Sequence, residues 1–107
     1  MEASVVKNQM KTLKSDLERR LGAINRDLSA RLDTDSEERA LQVENDEVLV
    51  AMREEAATQI AAIDAALERL SSGTYGDCVK CHVQIGKDRL AALPYTPFCA
   101  ECARSSD

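Results

Sequence analysis

From Met1 to Ser72 the chain contains no proline and one glycine, Gly22, while its apolar residues return at helical steps. Proline removes a helix hydrogen bond and glycine costs backbone entropy, so a stretch this poor in both predicts long uninterrupted helices. Val6, Met10, Leu13, Leu17, Leu21, Ile24, Leu28 and Leu32 follow at steps of three and four, which places them on one helical stripe. A second stripe runs through Leu41, Val48, Met52, Ala56, Ile60, Ile63, Leu67 and Leu70. Between them lies Asp33-Thr34-Asp35-Ser36, whose side chains bond their own backbone and favour turns and helix N-caps. The fold is therefore expected to be mainly α, with residues 1–72 forming an antiparallel two-helix coiled-coil hairpin whose tip lies at about 33–40.

Ser71-Ser72-Gly73-Thr74 then puts a glycine just past the last turn of the second helix. The remaining residues, 73–107, carry all four cysteines in two pairs, Cys78-Val-Lys-Cys81 and Cys99-Ala-Glu-Cys102, with 17 residues between the pairs. Two thiolates on one tight turn grip one face of a tetrahedral ion, and a second such turn closes the other face. This reads as a small four-cysteine zinc-finger module with one structural Zn2+, Cys78, Cys81, Cys99 and Cys102 being the ligands. Four thiolates leave no open coordination position, so the metal builds shape and no catalysis is expected. Two disulfides, a redox role for the thiols, and attachment of a c-type haem at Cys78-Val-Lys-Cys81-His82 are the competing readings. No apolar secretory core follows Met1, which points to a reducing cytoplasm, where such spacing means metal more often than disulfide. His82 is expected to be an exposed knuckle residue.

Only Tyr75, Tyr95 and Phe98 are aromatic, and charged residues make up 31% of the 107, so the apolar side chains suffice for a thin seam rather than a broad core. No apolar run approaches the roughly 20 residues needed to span a bilayer, and no membrane role is expected. Charge is uneven. Residues 1–32 hold seven basic and four acidic groups, residues 33–72 three basic and eleven acidic, and residues 73–107 four of each. Opposite signs help the two arms pair. Residues 33–47 alone carry seven carboxylates and one arginine, a surface that repels phosphate backbones and disfavours direct nucleic-acid binding. Thr34 with Glu37, and Asp35 with Glu38, each fit a capping box, a reading of the acids that requires no partner.

The string Gly73-Thr74-Tyr75-Gly76-Asp77-Cys78-Val79-Lys80-Cys81, then Ile85-Gly86-Lys87-Asp88-Arg89-Leu90, Ala92-Leu93-Pro94 and Cys99-Ala100-Glu101-Cys102, resembles the zinc-finger signature of the DksA/TraR family of transcription factors. The helical hairpin ahead of it fits the same family. That resemblance implies a protein that binds bacterial RNA polymerase, sliding the hairpin into the secondary channel so that its tip lies near the active centre; a cytoplasmic monomer is expected. The family's tip signature, Asp-x-x-Asp-x-Ala, falls on Asp35-Ser36-Glu37-Glu38-Arg39-Ala40, which makes Asp35, Glu38 and Ala40 the expected contact residues, with Glu38 one methylene longer than the usual aspartate. The knuckle position after Cys81, commonly glycine in the family, is His82, a residue type that visits left-handed backbone angles more readily than most. Positions matching the basic residues that help one member hold guanosine tetraphosphate are Glu55, Ala62 and Ala103, so the resemblance implies a weak or absent response to that nucleotide. From the residues alone, a coiled-coil and zinc-knuckle adaptor and a thiol redox sensor stand as alternatives.

Overall fold

The computed structural model describes residues 3–32 and 36–105, with side chains described over 3–30 and 46–105. It is mainly helical: α1 (Ala3–Leu32), α2 (Ser36–Ser72), α3 (Lys87–Ala92) and α4 (Ala100–Arg104). The start of α1 packs with the end of α2 in one compact unit, residues 1–13 with 61–107, while residues 14–60 form a second. The two long helices therefore run antiparallel, as the paired stripes predict. Among the described residues no helix is long and apolar enough to cross a membrane.

In the first unit the helical seam buries Val6 and Met10 of α1 and Ile63 and Ala66 of α2. In the second it buries Leu17 and Ile24 of α1 and Ala56 of α2. Each of these α1 residues belongs to the expected stripe. The α2 stripe needs correction: Val48 is 58% and Met52 42% exposed, whereas Ala66, which the stripe passes over, is fully buried. Ala56, Ile63 and Leu70 lie seven apart and Ala66 takes the intervening position, which is the heptad of a coiled-coil seam. Helical steps of three and four can be chained through several neighbouring registers, and size ranking favours Leu67 over Ala66. Close approach of two helices selects the smaller residue. Leu41, the first residue of that stripe, has its side chain outside the described residues.

The end of α2 is a Schellman cap. Gly73 sits at φ +80°, its N–H donates to the Leu70 carbonyl at 3.4 Å, and the Thr74 N–H donates to the Arg69 carbonyl at 3.0 Å. These bonds satisfy carbonyls that the helix itself leaves open and turn the chain into the cysteine module. There, Gly76, Asp77 and Cys78 pair back on Val83, Gln84 and Ile85 through one isolated antiparallel bridge, Asp77 with Gln84, and through the Cys78 N–H to Val83 carbonyl and Ile85 N–H to Gly76 carbonyl bonds, both 2.8 Å. The 17-residue spacer continues into α3, which buries Leu90. Cys78, Ile85 and Leu90 form the module's core, with Tyr75, Phe98, Cys99 and Cys102 packed against it.

Candidate metal centre

Each cysteine pair is shaped by its own turn. Cys78 is fully buried at the end of the short ribbon, and the His82 N–H donates to its carbonyl at 2.9 Å, closing a turn that carries Cys81 on its exposed side. His82 has φ +65°, the left-handed angle expected at the knuckle, and it is exposed. The second pair uses a helix start: Cys99 is the N-cap of α4 and its sulfur accepts from the Cys102 N–H at 3.5 Å. A sulfur that caps the first turn of a helix faces the same way as the cysteine closing that turn, which is the local reason for the Cys-x2-Cys spacing.

The four cysteine sulfurs all lie within 4.8 Å of one another. The Cys81 and Cys99 sulfurs, from different pairs, are 3.7 Å apart. A tetrahedron with zinc–sulfur bonds of about 2.3 Å requires an S···S edge of about 3.8 Å, so the spacing fits a zinc tetrathiolate and is far beyond a disulfide bond. None of the four cysteines is in a disulfide. Crowding sets Cys78 and Cys102 apart in acidity. Burial opposes ionisation of Cys78, but N–H groups of Cys81, Cys99 and Lys80 and the Cys102 thiol outweigh it and bring it down to about 5. Cys102 is pushed up to about 12 by its neighbours Cys78 and Cys99. Anions this close cannot accumulate without a cation among them, and a divalent metal is what that donor set holds. Zinc held there would supply a rigid cross-link, with all four of its positions taken by Cys78, Cys81, Cys99 and Cys102. His82 is not one of the clustered ligands.

Cys78, Cys81, Cys99 and Cys102 are thus brought together as the spacing predicts. The other expected site is not described: Asp35 lies outside the described residues, as do the side chains of Glu38 and Ala40, whose backbone belongs to α2.

Sequence reasoning missed the support of the second pair. The loop preceding Cys99 presents four carbonyls, and each accepts from a donor elsewhere: Pro94 from the Tyr75 hydroxyl at 2.8 Å, Tyr95 from Arg69 Nη2 at 3.5 Å, Pro97 from the Val79 N–H at 2.9 Å, and Phe98 from Arg89 Nε at 2.9 Å. Arg89 also reaches the hydroxyl of the buried Thr96 at 3.5 Å. Burial lowers the Arg69 pKa, partly offset by Tyr75, and burial raises that of Tyr75. The available signal was Pro94 and Pro97 so close together: a partly buried loop that cannot donate at two positions makes no ladder of its own and needs outside donors.

The profile of the DnaK suppressor protein-like N-terminal domain matches residues 6–70, and that of the prokaryotic dksA/traR C4-type zinc finger matches residues 73–107. The fold is similar to the structure of transcription factor DksA2 from Pseudomonas aeruginosa, with a TM-score of 0.85 over 97% of this chain and 81% of that one, at 24% identity. It is also similar to the solution structure of the DnaK suppressor protein from Agrobacterium tumefaciens C58, 43% identical, with a TM-score of 0.68 over 98% of this chain and 94% of that one. An uncharacterised protein of Aquifex aeolicus (strain VF5) is 51% identical over 41 residues, which span 38% of this chain and 28% of that relative.

Proposed function

The chain belongs to the DksA/TraR family of C4-type zinc-finger proteins, and on that premise we propose that it is a transcription regulator that binds bacterial RNA polymerase directly. The hairpin enters the secondary channel, and Asp35, Glu38 and Ala40 at its tip act near the active centre on the mobile elements or metal there. The zinc module, divided from the hairpin at residue 73, docks with the hairpin base on the channel rim, and the metal sets the direction in which the hairpin points. The outcome is a changed lifetime of promoter complexes, with no covalent chemistry by the regulator itself. It works as a cytoplasmic monomer, without direct contact to nucleic acid, and with a weak or absent response to guanosine tetraphosphate because Glu55, Ala62 and Ala103 supply no cation.

The observation that carries this reading is that both halves of the family match this chain back to back, 6–70 and 73–107, joined at the capped end of α2. The acidic stretch of 33–47, poorly suited to a phosphate backbone, suits a basic protein channel or a bound metal ion. The test is a run-off transcription assay beside a polymerase-binding competition. Asp35→Ala is expected to keep binding and lose the effect on initiation. Equal loss of both, or no competition for the channel by the unmutated chain, defeats the reading.

A further inference from the structure

The hydrogen bonds around residues 94–98 converge on one task. This loop carries Cys99 into the metal centre, yet its own backbone contributes little to holding it: Pro94 and Pro97 have no N–H, and the loop's internal bonds are the Thr96 N–H to Leu93 carbonyl at 3.1 Å and the pair between Thr96 Oγ1 and Phe98. Its position is imposed from outside, by Arg89 from α3, by Arg69 from the last turn of α2, and by Tyr75 and Val79 from the first half of the module. The fork of Arg89 is used at two points, Nε on the Phe98 carbonyl and Nη2 on Thr96 Oγ1, which fixes both a direction and a distance one residue before the ligand. The first pair is held differently, its turn closing on itself through the His82 N–H and the Cys78 carbonyl.

We propose that Arg89 and Arg69 are positioning residues for the Cys99 and Cys102 half of the zinc site, and that through Arg69 the C-terminal turn of α2 and the metal centre hold or loosen together. Groups that orient metal ligands without touching the metal commonly alter affinity by about 10-fold to 100-fold. Arg69 gives this a second consequence. The residue that donates to the Tyr95 carbonyl also offers its own carbonyl to the Thr74 N–H in the α2 cap, so displacement of the loop and fraying of the cap share one residue. The proposal concerns the metal centre alone and stands whether or not the polymerase reading does.

The zinc-loaded full chain provides the test, with Arg89→Gln and Arg69→Gln compared with the unmutated protein. The expected results are zinc affinity weakened by about 10-fold or more in competition with a chromogenic chelator, a perturbed thiolate-to-metal absorption band on cobalt(II) substitution, and alkylation, followed by mass spectrometry, that reaches Cys99 and Cys102 before Cys78 and Cys81. Hydrogen exchange at Gly73 and Thr74 is expected to quicken in Arg69→Gln and, in the unmutated chain, on zinc removal. Helical circular dichroism reports that the hairpin stays folded. Arg89→Lys keeps the charge and stem but not the fork, and is expected to fall between Arg89→Gln and the unmutated chain. Alkylation of both pairs at one rate in Arg89→Lys, or an unchanged affinity and cobalt spectrum in both glutamine variants, overturns the proposal.

Discussion

The Tyr75 hydroxyl donates to the Pro94 carbonyl at 2.8 Å, tying together two points 19 residues apart on either side of α3. Tyr75 is half-buried, so its bond is shielded from water without being sealed from it. Tyr75→Phe keeps the ring against the Cys78, Ile85 and Leu90 core and deletes the donor alone. The expected loss is about 0.5 to 1.5 kcal/mol of module stability, read from thermal unfolding of the zinc-loaded protein. No loss at all means that water replaces the hydroxyl freely.

The corrected α2 register predicts two different mutational costs on one helix. Ile63 is fully buried, and Ile63→Ala should destabilise the hairpin by about 2 to 5 kcal/mol through lost burial and the cavity left behind. Met52 is 42% exposed, and Met52→Ala should stay within about 0.5 kcal/mol. Denaturant unfolding followed by helical circular dichroism distinguishes them, and equal costs would restore the original stripe.

Two left-handed positions predict opposite signs. A Cβ at Gly73 meets nothing within 4 Å, so the cost of Gly73→Ala is purely that of φ +80°, about 1 to 2 kcal/mol. His82 already bears that strain at φ +65°, and His82→Gly relieves it, stabilising the loaded protein by up to about 1 kcal/mol. Melting curves of the two variants that shift in the same direction contradict this account.

Metal removal should divide the molecule. A strong chelator at neutral pH is expected to unfold residues 73–105 while leaving most helical ellipticity, because α1 and α2 hold 30 and 37 residues against 6 and 5 in α3 and α4. Acid should act in the same direction, since each thiolate that gains a proton leaves the metal, so zinc release measured with a dye rises as pH falls. Full loss of helicity on chelation would show that the hairpin depends on the metal.

The local chemistry of this chain was legible without coordinates. A stretch free of proline from Met1 to Ser72 and a glycine at 73 specify two long helices and where the second ends, because proline and glycine act on their nearest neighbours, while the turn expected at 33–36 lies mostly outside the described residues. Two Cys-x2-Cys pairs specify a metal centre for a similar reason: each knuckle is a closed local turn that aims two sulfurs together.

What tertiary structure alone decided was which surfaces meet. The choice of Ala66 over Leu67 for the seam depends on the other helix, and composition ranks those two residues the opposite way. The bracing of residues 94–98 by Tyr75, Arg69 and Arg89 joins side chains to carbonyls 9 to 26 positions away, and a hydrogen bond of that separation leaves no periodic mark in a sequence. Helices and knuckles arise from interactions within a turn or two of chain, whereas seams and braces exist only once distant segments share one space.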